Sequence, residues 1–289
     1  MKGISPLSLR RYNLFFQKHK ISREKFSSLL SFLFTFAFLI LDPDPIFTET
    51  IPSRPNELIL ITRFSKQEKK EPETLAIGSL EFRKQTFSPA STFKIYLTLS
   101  LLENHIVSLD EKQKCADKHI PNSPRDLDLR EALFYSSNEY FEKVFSELGK
   151  EKLDRTLLRI GYIPKTKKGK AEPWWIDLDG LKHGGRIRLK PDEIHSHWVR
   201  IFGDGYSYPK EIVSDWKKSL FWSECKERAA NVYGKTGSWE KSFWFQGALV
   251  QGENDYVIYT VLDRDPAASR TRTIQRFYEL VGCTVPSLE

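Results

Sequence analysis

The chain has 289 residues, enough for one large domain or two small ones with a sizeable core. With 40% hydrophobic and 29% charged residues, it is excluded from the disordered and low-complexity classes. The formal charge of +7 comes from basic residues interleaved with acidic ones, as in SKQEKKEPE (65–73), a solvated surface rather than a nucleic-acid-binding patch.

Residues 1–25 carry Lys2, Arg10, Arg11, Lys18, Lys20, Arg23 and Lys25 against a single acid, Glu24. The uncharged run FSSLLSFLFTFAFLIL (26–41) follows and stops at DPDP. A basic flank, an apolar run and an abrupt acidic stop are the layout of a secretory signal or signal anchor. Sixteen residues fall short of the roughly 20 of a full span, so a buried core helix is the alternative. No small-residue A-x-A site follows, which speaks against cleavage, and no cysteine stands near for lipidation. The positive-inside rule keeps residues 1–25 in the cytoplasm and exports the rest. The expected organisation is therefore 1–41 export signal or anchor, 42–55 Pro-rich linker, and 56–289 folded domain.

ELILITRF (57–64) and TLAIGSLEF (74–82) read as two strands of a hairpin. Ile95–Leu102 is helical by length and apolar density. LREALFYSSNEYFEKVFSELG (129–149) has helical spacing that breaks around YSSN, and Gly149 and Gly161 bound a further short helix. Residues 161–191 read as a loop around PWW (173–175). The period then changes: NVYGKTGSW (231–239), FWFQGALV (243–250) and DYVIYTVLD (255–263) are strands, and TRTIQRFYELVG (271–282) is a closing amphipathic helix. Cys115, Cys225 and Cys283 are widely spaced with no CxxC or HExxH, so one disulfide fits, a disulfide scaffold does not, and no metal site is expected.

Ser91-Thr-Phe-Lys94, at the mouth of the first apolar helix, has the S-x-x-K spacing, but so do five other places, among them Ser207–Lys210 and Ser238–Lys241. Spacing alone therefore says little, and Ser91 as a mere helix cap with Lys94 as surface charge stays open. The surroundings favour chemistry. A serine at a helix start has an orphan backbone N–H in the positive end of the dipole, suited to an oxyanion, and Lys94 projects on the same face. A lysine acts as base only when burial lowers its pKa or when it is chemically modified, and the apolar run offers a dry setting. Ser136-Ser137-Asn138 lies at the helical break, 45 residues after Ser91, and Lys235-Thr236-Gly237 lies on an edge-like strand 99 residues further. Gly237 would permit close backbone approach. In this order the three motifs supply a nucleophile, a lysine base, a hydroxyl proton shuttle, and a cation with a hydroxyl for a carboxylate.

On these motifs the chain resembles the penicillin-recognising serine acyl-transferases. SPASTFKI (88–95), Trp175 followed by GRIRLKP (185–191), and Arg270 at the last helix start look like class D, oxacillinase-type β-lactamases. S-x-N in place of the class D S-x-V is more like a penicillin-binding transpeptidase. The class D tyrosine-glycine-asparagine and tryptophan-aspartate-glycine signatures are missing. The resemblance spans roughly residues 57–282. It implies an α/β fold of the α+β type, with a five-stranded antiparallel sheet flanked by helices plus an all-helical lobe. It gives Ser91, Lys94, Ser136, Asn138 and Lys235 the catalytic positions, and Thr236, Gly237, Ser238, Trp175 and Arg270 the substrate-binding ones. The oxyanion would lie between the backbone N–H groups of Ser91 and Ser238.

No cofactor or metal is implied beyond a CO2-derived carbamate on Lys94, which the apolar class D pocket favours, Trp175 supports and Asn138 opposes. The expected function is a class D-like β-lactamase working through a Ser91 acyl-enzyme. The alternatives are a D,D-peptidase or transpeptidase acting on D-Ala-D-Ala stem peptides, or a β-lactam sensor domain. The expected partner is a β-lactam or D-Ala-D-Ala peptide and no nucleic acid, with membrane contact through 26–41 if that run is uncleaved. The expected place is the periplasm or the outer face of the bacterial inner membrane.

Overall fold

Residues Glu57–Thr62 are buried one after another, the pattern of a strand covered on both faces. This strand, β1 (Glu57–Phe64), begins a computed structural model that describes residues 52–65, 72–164, 174, 180, 182–252 and 255–287. The expected export segment at 26–41 and most of the linker lie outside the described residues, as does Trp175.

β1 pairs antiparallel with β2 (Thr74–Gly78), as the hairpin reading requires. The second strand ends four residues early. Gly78 has φ 94°, and a Cβ there would stand 2.1 Å from the carbonyl oxygen of Glu57, so the chain turns away into a short 3-10 helix at Leu80–Lys84. The helices α1 (Lys94–Glu103), α2 (Leu129–Tyr135), α3 (Asn138–Leu148) and α4 (Lys150–Ile160) follow, with the small ribbon β3 (Gln113–Cys115) and β4 (Arg125–Leu127) between α1 and α2. α5 (Pro191–Phe202) and α6 (Lys210–Ser219) lead to β5 (Phe221–Cys225), β6 (Ala230–Trp239), β7 (Ser242–Gly252) and β8 (Asp255–Asp263), and α7 (Arg270–Val281) closes the chain.

The main sheet has six antiparallel strands in the order β2-β1-β8-β7-β6-β5, where five were expected. The extra strand is β5. FWSEC is too short and too polar to show a period of two, and it becomes a strand only by pairing with β6. That pairing reaches only from Ala230 to Tyr233. Lys235 to Trp239 therefore have no strand on that side, so the edge-like expectation holds for this segment although β6 is an inner strand.

α7 lays Ile274, Phe277, Tyr278 and Val281 on one face of the sheet, against Ile59, Ile61, Val232, Phe245 and Val261. α5 and the 3-10 turn before α1 cover the other. α1 is buried without interruption from Lys94 to Leu102 and forms the centre of the helical lobe, with α3, α4 and α6 around it. One disulfide, Cys225–Cys283, ties the end of β5 to the residues after α7, and Cys115 is a buried free thiol. In the chain-entropy account a closed loop of 58 residues contributes about 4 kcal/mol at most. Replacing both cysteines by serine should therefore lower unfolding free energy by about 2–4 kcal/mol, measured by chemical denaturation without reductant.

His195 on α5 is 2% exposed and bridges two strands, with Nε2 2.8 Å from Thr62 Oγ and Nδ1 2.9 Å from Thr260 Oγ. Burial lowers its pKa to about 3, and that of His197, which bonds the Tyr206 hydroxyl, to about 4. Both rings are neutral in the fold and bind protons more readily when unfolded. Their contribution is whole above the unfolded value near 6.5 and is lost as pH falls towards 4. The unfolding free energy from urea titration should therefore drop steeply between pH 6.5 and 4, by up to about 3 kcal/mol for each ring. His195→Gln should flatten that slope while lowering stability at pH 7.

Candidate active site

Ser91 lies in the 3-10 turn Ala90–Phe93, which runs directly into α1 at Lys94. It does not cap a helix: its Oγ donates to the carbonyl of Lys182 at 3.1 Å. Lys94 is not a surface charge either, for it has 0% exposure. Both bland readings of the motif are thereby excluded.

The polar loop that meets Lys94 is the break between α2 and α3. α2 starts at a capping box of Asp128 and Glu131 and ends at Ser136, which takes left-handed angles (φ 61°, ψ 41°). Ser137 immediately caps α3, its Oγ accepting from Tyr140 N–H at 3.0 Å. Two helix ends placed back to back leave carbonyl oxygens and one side-chain amide pointing at the buried ammonium. Lys94 Nζ donates to Ser136 O (2.9 Å), Ser137 O (2.9 Å) and Asn138 Oδ1 (2.7 Å) and lies 5.4 Å from the Phe141 ring centroid. Three acceptors match the three N–H bonds of an ammonium. Desolvation lowers the Lys94 pKa to about 7, opposed by Asp117 and Glu142 and reinforced by Lys182.

The second lysine is equally dry. Lys235 has 0% exposure and donates to Ser136 Oγ at 3.0 Å and Thr236 O at 2.8 Å. Burial, then the charges of Lys94 and Arg270, push its pKa well below the usual lysine range. Two buried amines that repel each other favour a state with one proton fewer than two ammonium groups. Arg270, the first residue of α7, donates through Nε to Thr236 Oγ (3.1 Å) and through a terminal nitrogen to Phe134 O (2.8 Å). This arginine and the Thr236 hydroxyl offer donors side by side, the geometry a carboxylate accepts.

Gly237 explains how the strand reaches the nucleophile. A Cβ there would meet Pro89 O at 3.1 Å, Thr92 N at 3.1 Å and the Thr92 methyl at 3.0 Å, so β6 lies against the 3-10 turn backbone to backbone. Ser91, Ser136, Asn138, Thr236, Gly237, Ser238 and Arg270 all border one open cavity of about 280 Å³, with Lys94 and Lys235 behind its wall. The structure thus brings together nine of the ten expected residues, and Trp175 lies outside those it describes. Its neighbour Trp174 is buried 5.1 Å from the Phe93 ring, its Nε1 donating to Asp154 at 2.8 Å.

The same cavity is bordered by His119, Tyr135, Lys182 and Trp239, none singled out from the sequence. Trp239 stacks on His183 at 3.9 Å, and the turn of Ser88–Ser91 grips the segment beneath, Ser88 Oγ donating to His183 O at 2.8 Å. No carboxylate borders the cavity among the described residues, whereas Lys182 and Arg270 do. The only sequence signal for these residues was the position of Trp239 two places beyond the Lys-Thr-Gly motif.

Comparisons with known proteins agree with this geometry. A model of the penicillin binding protein transpeptidase domain matches residues 59–178. Regulatory protein BlaR1 of Staphylococcus aureus is 27% identical over 204 residues, covering 67% of this chain and 33% of the relative. The methicillin resistance mecR1 protein of Staphylococcus aureus (strain Mu50 / ATCC 700699) is 31% identical over 205 residues, covering 66% and 32%. The chain thus spans about a third of the length of the curated relatives it matches. Among solved structures, class D β-lactamase BAT-2 superposes with a TM-score of 0.64 at 18% identity, over 84% of this chain and 95% of that one.

The close approach at Gly237 carries its own test. Gly237→Val should force β6 away from Pro89 and Thr92 and cost about 1–3 kcal/mol in chemical denaturation. An unchanged midpoint would mean that the strand and the turn are not in contact.

Proposed function

We propose that this chain, which belongs to the superfamily of penicillin-binding transpeptidases and class D β-lactamases, is a β-lactam-binding domain that becomes acylated on Ser91 and releases the acyl group slowly. Acylation follows from the arrangement of the two lysines. Ser91 Oγ turns from Lys182 O towards Lys94, whose amine is neutral in part of the population because its pKa is lowered to about 7. Oγ attacks the lactam carbonyl carbon, and its proton passes to the amine. The oxyanion rests on the backbone N–H groups of Ser91 and Ser238, where one donor is typically worth ~2.7–4 kcal/mol of barrier. The C–N bond then breaks, and Ser136, linked to Lys235, returns a proton to the leaving nitrogen. Thr236 and Arg270, which border the cavity, hold the substrate carboxylate.

The single observation that supports slow release is the cage of three oxygens around Lys94 Nζ. A carbamate on that nitrogen would leave one N–H for three acceptors and bring a carboxylate against the rest, an arrangement whose unmade bonds cost about 1–3 kcal/mol each. Without the carbamate, water at the acyl-serine lacks a strong base. A regulatory role, in which the long-lived adduct is the signal, is in keeping with the similarity to regulatory protein BlaR1. Export is supported by the disulfide, which belongs to an oxidising compartment, and by the signal-like layout of residues 1–41.

A second reading, hydrolysis in the manner of a class D β-lactamase, has one observation in its favour. A dry, partly neutral amine is the form that takes up CO2.

Mass spectrometry after benzylpenicillin decides between them. The protein should gain one intact penicillin on Ser91, Ser91→Ala should gain none, and Lys94→Ala should label slower by orders of magnitude. The adduct should persist for hours with or without bicarbonate. Decay within seconds that quickens with bicarbonate would establish the hydrolytic reading, and absence of any adduct would remove both.

A further inference from the structure

The turn that cages Lys94 is itself held from behind by a residue outside the three motifs. Asp117, half-buried in the segment after β3, accepts from Ser137 Oγ through Oδ2 at 2.5 Å. Its Oδ1 accepts from Asn138 N–H at 2.9 Å and from Glu139 N–H at 3.3 Å, the first amides of α3. One carboxylate therefore binds the whole Ser137–Glu139 segment. Those residues supply two of the three oxygens on Lys94, and the third, Ser136 O, is one residue before. Asp117 makes no contact of its own with the cavity.

We propose that Asp117 is a positioning residue that locks the Ser136–Asn138 turn and places a negative charge behind Lys94, so setting the pH at which Lys94 can take the proton of Ser91. The inference rests on acylation of Ser91 as proposed above.

The charges around Lys94 leave Asp117 in the leading place. Of the groups facing that ammonium, Asp117 is the strongest that favours its charge, ahead of Glu142 on α3. Lys182 and Lys235 oppose it, and Phe141 is uncharged. The surroundings of Asp117 keep it ionised. Its three hydrogen bonds and nearby His119 outweigh burial and hold its pKa below the usual carboxylate value. Glu139 lies close to it, but that carboxylate is occupied by Lys143 and by Ala116 N–H, and Cys115 is a buried thiol. A helix-capping role alone would account for the bonds to Asn138 and Glu139. It would not account for the carboxylate also holding Ser137 Oγ in the very segment whose Ser137 O and Asn138 Oδ1 accept from a fully buried lysine.

The test is the pH dependence of labelling by a fluorescent penicillin, with folding of each variant checked by thermal melting. In the wild type the labelling rate should rise with pH as Lys94 loses its proton. Asp117→Asn keeps the shape and most acceptors but removes the charge, so Lys94 should deprotonate more readily. The rise should move to lower pH by about one unit, the least an adjacent opposite charge usually contributes. Ser137→Ala and Asp117→Glu keep the charge and disturb the fit. Each should leave the midpoint in place and lower the plateau by about tenfold or more, as misplacement of a catalytic group does. If Asp117→Asn folds and labels with the wild-type midpoint, the proposal is overturned. If that variant does not fold, a shifted midpoint in Asp117→Glu or Ser137→Ala overturns it instead. A wild type that takes up no penicillin at any pH would overturn the acylation reading, a result separable from all of these.

Discussion

A lysine with no exposed surface sits at the start of the central helix, and the rest of the site is arranged around the cost of burying it. An unpaired ammonium inside a protein is too expensive to keep, so it must be met by acceptors, lose its proton, or both. Here both occur. Three oxygens meet the three N–H bonds, while desolvation brings the pKa to about 7. The acceptors exist only because α2 stops in a left-handed residue, Ser136, and α3 begins two residues later at Asn138. The break in the helical pattern is thus the feature that permits a charged side chain in the lobe's core, and α3, α4 and α6 around α1 keep that region dry.

In the proposed function the same constraint would link acylation to release. A base that is fully coordinated by neutral oxygens gives up its proton near neutrality, which suits one proton transfer. In the proposed reading, those three acceptors would oppose the carboxylate that a second, water-activating step would use. The amide oxygen of Asn138 makes the shortest of the three contacts, at 2.7 Å. An apolar side chain there would return the site to the environment that the carbamate needs.

Much of this was legible in the sequence because motif order carries geometric information that spacing does not. The S-x-x-K spacing recurs at five other places, yet its succession with S-x-N and K-T-G is what the fold gathers around one cavity. The helical break at YSSN and the glycine-bounded α4 were visible for local reasons: a lost period and two left-handed or extended glycines. What stayed hidden depends on partners. β5 is a strand only through β6. Asp117, His119 and Lys182 come from irregular segments, where no periodicity says which way a side chain faces. The expectation of five strands failed for this reason, and the glycine at 237 revealed a close approach only because its surroundings were already suspected.

The last helix can be viewed as a rod with a load at one end. Arg270, its first residue, aims at Thr236, and twelve residues of helix carry the axis about 18 Å to the far end. There the chain is bolted by Cys283 to Cys225, and midway the buried pair of Arg276 and Glu57 pins it to β1 at 3.0 Å. Two fixed points define a line, so the guanidinium has one direction in which to point. Selection on that aim therefore reaches residues that never approach a ligand. Cys225 and Cys283 have meaning only as a couple, and losing either frees the rod to pivot about Glu57.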